Sequence, residues 1–450
     1  FLILTPRYYG HAFNNPKDLP FAICYLGAIY YAICTLKQLP NPPRSLIRKT
    51  GLVLGFTLGI RIGGFLPALY FGLFGLLYHL LSSPREHLFH NLLQFLKQIC
   101  ALIIIAWITM LLFWPWGQDR PLMGVWEAIQ TFSSFPEIHQ SFFQGHYIDS
   151  DEIPRYYAPL WFLLTLPEFL LAGLATGIYC LWRSSPWMRM PTLEIGLLIT
   201  AACFPIVYAI ASAMPLYDGI RHLLFVIPPL AILAALGVSH FLTLPGRPAQ
   251  LLGPILAGLM LLTTYDMIVL HPNQYAYFNR LFAGGVSKAS ANYETDYWHN
   301  SYKQALAWLD RQPRSEGQSL RLSSHYANLP LYIANTTSYT HEPRPEAADI
   351  YLGVTRFDKH RIIPGEVVHI VRAQGAALLY IIRPDSTFQN DPLFAQSAFR
   401  HINLGDQYKE KGNIENALMA YQKAIASNPN DYRTLNHIGE LYYGLEQYTR

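Results

Sequence analysis

Residues 50–82 read TGLVLGFTLGIRIGGFLPALYFGLFGLLYHLLS, 33 residues in which Arg61 is the one permanent charge. A helix needs about 20 apolar residues to cross a bilayer. The stretch is therefore long for one crossing and short for two. Its middle, Gly59-Ile60-Arg61-Ile62-Gly63-Gly64, is rich in glycine, which loosens a helix. One reading is a single tilted helix with an awkward arginine. The other is two short helices meeting at a break, which is tolerated at membrane depth only where protein or a cavity covers the irregular backbone. This choice decides on which side of a membrane every other segment lies.

Six further runs are candidate spans: 19–37, 94–115, 157–182, 192–213, 222–242 and 251–270. Basic residues gather at cytoplasmic loops. Lys37, Arg44, Arg48 and Lys49 precede the 50–82 stretch, and Arg85 and Lys97 follow it; Arg183, Arg189 and Arg247 flank later spans. Two crossings by 50–82 put all of them on one side, whereas one crossing splits them. The broken hairpin is therefore expected, with 83–93 cytoplasmic. Residues 7–20, the Arg61 tip, the loop 116–156, the turn 216–222 and everything after 270 then face the other side. The 116–156 loop suits an extracytoplasmic surface, with six acids (Asp119, Glu127, Glu137, Asp149, Asp151, Glu152) against two basic residues.

Composition agrees with a membrane chain. Of 450 residues, 52% are apolar and 14% charged, where a soluble protein carries about a quarter charged. Mean hydropathy is +0.17. A disordered chain, a collagen and an ordinary cytosolic enzyme are excluded. A net charge of +4 over this length is too thin for a nucleic-acid binder driven by bulk charge. Cys24, Cys34, Cys100, Cys180 and Cys203 all lie in apolar runs. They form no metal or redox spacing and no disulfide framework. The opening Phe1-Leu2-Ile3-Leu4 reads as the middle of an apolar phrase, and Tyr448-Thr449-Arg450 falls inside a repeat, so both ends are expected to be cuts in a longer chain.

Near residue 280 charge rises. Ser301–Asp310 reads as an amphipathic helix, with Tyr302, Leu306 and Leu309 on one face. Strand-prone runs follow at 319–323, 350–354, 366–371 and 377–382. From residue 398, Leu404-Gly405, Tyr408, Gly412, Ala417, Tyr421, Ala424 and Pro429 fall at tetratricopeptide intervals, and Ile438-Gly439 and Tyr442 repeat them 34 residues on. Such a repeat cannot bury its own face, so more are expected beyond Arg450. The expected fold is a polytopic α-helical membrane domain (1–279), a small extracytoplasmic α/β domain (280–397) and an α-helical tetratricopeptide repeat (398–450).

No P-loop, GxSxG or HExxH is present. Chemistry is therefore sought among polar groups at membrane edges, where charge is costly. Arg7, Tyr8, His11, Asn15, Lys17 and Asp18 precede an apolar helix. Asp18 stands where an N-cap would stand, and a capped helix with snorkelling bases is the plain alternative to a site. Arg61 could grip a phosphate with two donors or simply pair with a carboxylate. Tyr156 and Tyr157 could be interfacial anchors. In the turn Tyr217-Asp218-Gly219-Ile220-Arg221-His222, Asp218 and Arg221 could pair with each other. His271–Asn279, Gly284-Gly285 and Asp296-Tyr297-Trp298 suit either a sugar or an ordinary domain junction.

The phrases PRYYGHAFNNPKD (6–18), GIRIGG (59–64), RYYAPLW (155–161), LYDGIRH (216–222), HPNQYAYFNRLFAGG (271–285) and DYW (296–298) together resemble the integral-membrane glycosyltransferases of the C-type fold. The resemblance is to family 39, the dolichyl-phosphate-mannose–protein mannosyltransferase-like group, over residues 1–300. It implies transfer of a sugar, with inversion, from a polyprenyl-phosphate donor to an acceptor on the extracytoplasmic side. It admits a divalent cation and makes no cofactor certain. Asp18 resembles the family's second acidic position; the family's primary catalytic Asp lies upstream of Phe1, so the chain alone is expected to be inactive. The implied substrate-binding residues are Arg7, Tyr8, His11, Asn15, Lys17, Arg61, Tyr156, Tyr157, Tyr217, Asp218, Arg221, His222 and Asp296. Expected partners are the donor, the lipid bilayer and a protein partner or acceptor bound by the repeat; nucleic acid is not one. The expected location is a bacterial inner membrane in preference to an organelle membrane. The competing readings are a non-catalytic membrane scaffold displaying the repeat, and a transporter.

Overall fold

The computed structural model describes residues 1–133, 138–182, 192–315, 317–326, 328–361, 363–385 and 398–427, with 434, 437–439 and 441. Glu137, Arg183, Arg189, Pro429 and Tyr442, used above, lie outside them. The chain divides into two compact units, the first formed by 1–141 and 148–285, the second by 142–147 and 286–450.

The first unit is helical. Its elements are α1 (Pro6–His11), α2 (Asp18–Leu36), α3 (Arg44–Ile60), α4 (Leu66–Ser82), α5 (Leu88–Leu112), the short α6 (Pro115–Asp119) and α7 (Met123–Ser133). After the hairpin strands β1 (Gln140–Phe143) and β2 (His146–Asp149), of which 142–147 belong to the second unit, come α8 (Tyr157–Thr165), α9 (Glu168–Trp182), α10 (Thr192–Ala211), α11 (Ile227–Leu242), α12 (Arg247–Leu270) and α13 (Arg280–Ala283), while α14 (Gly285–Ala289) opens the second unit. Among the described residues, six helical segments are long and apolar enough to cross a membrane: Asp18–Leu36, Ile62–Ser82, Leu88–Leu112, Leu193–Ala211, Arg221–Leu242 and Arg247–Leu270. Their outward faces expose Leu, Ile and Phe such as Leu81, Phe89, Ile104 and Leu261, which suits a lipid solvent.

The 50–82 stretch is broken. Helix α3 ends at Ile60, Arg61 is extended (φ −150°, ψ 144°), and a 3-10 turn, Ile62–Phe65, leads into α4. A Cβ on Gly64 would sit 2.6 Å from the Leu58 amide nitrogen, so only glycine lets the chain double back this closely. At the far end of the bundle, Tyr78 Oη donates to Leu39 O (2.8 Å) and Gln98 Nε2 to Pro40 O (2.9 Å). The start of α3 and the end of α4 therefore share one end of the unit, as a hairpin requires.

The 157–182 run is not the single continuous helix expected. It forms two helices bent by 115°. Leu166 is extended (ψ 137°) before Pro167, because a proline disfavours helical backbone in the residue preceding it. Glu168 then anchors the new direction. Its Oε1 accepts the backbone amides of Arg280 (2.7 Å) and Leu281 (3.1 Å).

The second unit holds a five-stranded sheet in the order β4-β3-β5-β7-β6. These are β3 (Leu320–Ser323), β4 (Tyr339–His341), β5 (Ile350–Val354), β6 (Gly365–Ala373) and β7 (Ala376–Pro384). Strands β4, β3 and β5 run parallel; β7 is antiparallel to both β5 and β6. Helix α15 (Ser301–Leu309) buries Tyr302, Leu306 and Leu309 with Leu322, Leu352, Val354, Leu379 and Ile381. The short α16 (Leu329–Ile333) adds Leu329 and Ile333. The three-residue edge strand β4 was not anticipated, since Tyr-Thr-His shows no measurable alternation. In the repeat, α17 (Ala398–Glu410) and α18 (Ile414–Ser427) pack around Ala417 and Tyr421, with Tyr408 against them.

Candidate functional site

One end of the first unit gathers most of the charged and aromatic groups singled out in the sequence. Pro6 opens α1, where its missing N–H costs nothing. A Cβ on Gly10 would lie 2.2 Å from the Tyr275 nitrogen, so α1 lies backbone-to-backbone on the 274–276 turn. This contact holds Arg7 between two aromatic faces, 5.1 Å from Trp161 and 4.7 Å from Phe278. Its Nε donates to Tyr277 O at 2.8 Å. Fully buried, Arg7 ties α1 to α8 and to the segment after α12.

Asp18 is not the cap that its position suggested. It is the first residue of α2, and no side chain caps from the N-cap position, Lys17. Asn15 does this work instead: its Oδ1 accepts from Asp18 N (2.8 Å) and Lys17 N (3.2 Å). Asn15 Nδ2 in turn donates to Asp18 Oδ2 at 2.8 Å and lies 3.3 Å from His11 Nδ1. The Asp18 carboxylate is thus left to two arginines. It pairs with Arg61 and stands 3.7 Å from Arg221 Nε. Arg61 is delivered by the α3–α4 break and Arg221 by the turn before α11. Their side chains are 15% and 16% exposed and that of Asp18 5%, so water screens the cluster only in part.

Arg221 also pairs with Asp218 (3.0 Å), which the turn holds in the left-handed region at φ 56°. The Arg221 guanidinium lies 4.7 Å from the Tyr217 ring and 3.3 Å from His222 Nε2. Tyr217 meets His222 at 4.6 Å and His139 at 4.2 Å. Tyr157 Oη accepts from Gly219 N at 3.2 Å, fixing this turn to α8.

Arg61 and Arg221 balance Asp18 and Asp218, and exposed Lys17 brings a further positive charge within electrostatic reach. Burial lowers the Lys17 pKa, with Arg61 repulsion acting in the same direction and Asp18 opposing it. His11 is pushed down to about 3 by burial and by the charges of Arg7 and Arg221, so it is neutral near pH 7 and adds no charge. Burial raises the Tyr8 phenol to about 12. Arg61 Nε is buried and makes no hydrogen bond among the described residues. An anion of phosphate size is the ligand that such a cluster would accept.

A resident cation fits less well. Asp18 already faces two guanidinium groups, and among the described residues no three His, Cys, Asp or Glu side chains gather as metal ligands. Of the remaining candidates, Tyr156 is exposed. Asp296 belongs to the second unit, where it accepts the Asn300 amide (3.0 Å) and the Ser301 hydroxyl at the start of α15. His139 and Phe278 were not among the candidate ligands. His139 sits in a loop with no motif around it, and its partner Tyr217 is distant in sequence. Phe278 was quoted only within an aromatic phrase.

Residues 405–445 match the TPR repeat family, so the chain carries a TPR repeat. No curated protein and no solved structure matches the chain.

Proposed function

We propose that the first unit is a multi-pass membrane glycosyltransferase that takes a sugar from a polyprenyl-phosphate carrier and passes it to an acceptor on the extracytoplasmic side. The observation that carries this reading is the meeting of Arg61, Arg221 and Asp18, from three separate segments, at one end of an apolar helical unit. In such a transferase the bond from the sugar's anomeric carbon to the phosphate oxygen breaks, and negative charge grows on the departing lipid phosphate. Fixed cations at that oxygen stabilise the transition state more than the ground state. Arg61 offers two parallel donors to the phosphate, and Arg221 a second guanidinium beside it. Asp18 holds both arginines in place and neutralises them while no donor is bound. His11, neutral near pH 7, and His222 beside Arg221 would bond hydroxyls of the sugar. Acceptor activation is assigned to none of these groups. The TPR repeat, a protein-binding module, would hold a protein partner or acceptor, and a bacterial inner membrane is the setting that this reading favours.

Binding of a polyprenyl-phosphate hexose to the protein in nanodiscs tests the reading. Arg61→Lys keeps the charge but loses the paired donors. A charge-assisted hydrogen bond is worth about 1.5–3 kcal/mol, so donor affinity should fall about tenfold or more, and further in Arg61→Ala. Wild-type affinity in both variants would make Arg61 structural and remove the basis of the proposal.

A further inference from the structure

Helix α5 ends at Leu112, and Trp114-Pro115 turns the chain. Trp114 leaves the helical region (φ −126°, ψ 83°), because the following proline disfavours it. The short α6 is tied back to the end of α5 by Gln118 Nε2, which donates to Leu111 O at 2.7 Å. The Trp114 and Trp116 rings meet at 5.3 Å. A Cβ on Gly124 would lie 3.2 Å from the Trp116 ring, so that indole lies across the start of α7. Arg120 pairs with Glu127 at 3.2 Å over the same junction. Outward from it, Leu122, Met123 and Trp126 are each more than half exposed, and Trp116 close to half. Spacings of three and four put Met123, Leu122 and Trp126 on one face. A patch of this kind in water marks a missing partner. It continues into exposed Leu112 and Phe113 at the end of α5.

Three observations identify that partner as lipid. No Asp, Glu, Lys or Arg occurs from 98 to 118, so the exposed surface of the α5 span passes into α6 uninterrupted by charge. The eleven residues of α7 reach about 16 Å, about half of the hydrocarbon core, so α7 cannot be a further span. Tryptophan settles at headgroup level, and Trp114, Trp116 and Trp126 cluster where the span ends. A short helix with one apolar face lies in the plane of the interface, sunk about 5–10 Å.

We propose that α6 and α7 form an interfacial element lying in the leaflet at the end of α5, with Leu122, Met123 and Trp126 among the upper acyl chains. The proposal rests on the reading of the first unit as a membrane domain, and not on sugar transfer. At its root Phe113 packs on Phe56 at 5.1 Å, so the leaflet surface passes beside the end of α3 that delivers Arg61. Met123→Cys, Trp126→Cys, Ile104→Cys and Asp151→Cys are made singly in a cysteine-free full chain, labelled with bimane and placed in nanodiscs. Iodide reports water, and lipids with a nitroxide just below the headgroup or at mid-chain report depth. Ile104→Cys, exposed on α5 and about 12 Å from its end, should be quenched most by the mid-chain nitroxide. Asp151→Cys, exposed, should be quenched most by iodide. Met123→Cys and Trp126→Cys should lose most fluorescence to the shallow nitroxide and little to iodide, with emission to the blue of Asp151→Cys. Iodide quenching of either one at the level of Asp151→Cys, while Ile104→Cys still meets the mid-chain nitroxide, overturns the interfacial element and leaves the membrane unit standing. Shielding of both from iodide and nitroxides alike would mean that protein covers the face, and refutes the proposal equally. Ile104→Cys out of reach of both nitroxides would refute the membrane reading itself, and the interfacial element with it.

Discussion

Replacing Asp18 by Asn changes one charge and almost no volume. Because Asn15 supplies the cap, the change leaves the start of α2 intact, yet Arg61 and Arg221 then face each other without their shared anion. Breaking a buried pair from one side costs about 3–5 kcal/mol, and partial exposure here favours the low end. Asp18→Asn should therefore melt below wild type in nanodiscs. Polyprenyl phosphate should raise its melting temperature more than it raises that of wild type. Equal melting of the two sugar-free proteins would show that the pairing is energetically idle. Under the proposed function, sugar transfer should fall about a hundredfold, or about 2.7 kcal/mol of transition-state stabilisation; a fall of less than about threefold would separate Asp18 from the reaction. His11 gives a pH signature. Its folded pKa, about 3, lies below the unfolded value of about 6.5. The unfolded chain therefore takes up the proton first, and stability is lost as pH falls from about 6.5 towards 3, by on the order of 1.4 kcal/mol per pH unit. Melting curves at pH 7 and pH 5 should differ more for wild type than for His11→Gln; equal differences would mean that His11 is hydrated in the folded protein.

At the scale of elements, the contact of α1 with the 274–276 turn sets the geometry around Arg7. Gly10→Ala drives a methyl group into the Tyr275 backbone, which cannot move aside as a flexible side chain could. Overpacking of this kind costs about 1–3 kcal/mol. Thermal unfolding of Gly10→Ala should show that loss together with weaker donor binding, and wild-type melting would place α1 elsewhere. The sequence showed the 50–82 break because glycines flank a charge inside an apolar run. It hid the 157–182 bend because Pro167 was one residue in an unbroken hydrophobic phrase, and the Glu168 bonds that hold the bend come from amides more than 110 residues away. Arg61, Asp18 and Arg221 were each legible as costly charges. Their meeting was not, since nothing in a linear chain states that the break, the α2 start and the pre-α11 turn reach one point. His139 carried no signal, because a lone histidine in a loop looks the same whether it stacks on Tyr217 or faces water.

At the scale of the molecule, a hairpin whose two arms both cross would put the loops before α3 and after α4 on one side of a membrane. In a cysteine-free background, Asn41→Cys and Glu86→Cys should label from the same side of the membrane and Asp119→Cys from the other. All three positions are exposed, whereas Ser141 is buried and would report nothing. Labelling of Asn41→Cys and Glu86→Cys from opposite sides would mean that 44–82 crosses once. The Arg7 clasp has a consequence in time as well as in space. Arg7 Nε and Tyr277 O are 270 residues apart in the chain, and the ribosome adds about 5–20 residues per second. For many seconds of synthesis α1 exists before its acceptor carbonyl has been made. The end of the unit where the arginines gather is therefore a late event in the protein's assembly, reached only after α12 has been laid down and the chain has returned across the whole length of the bundle.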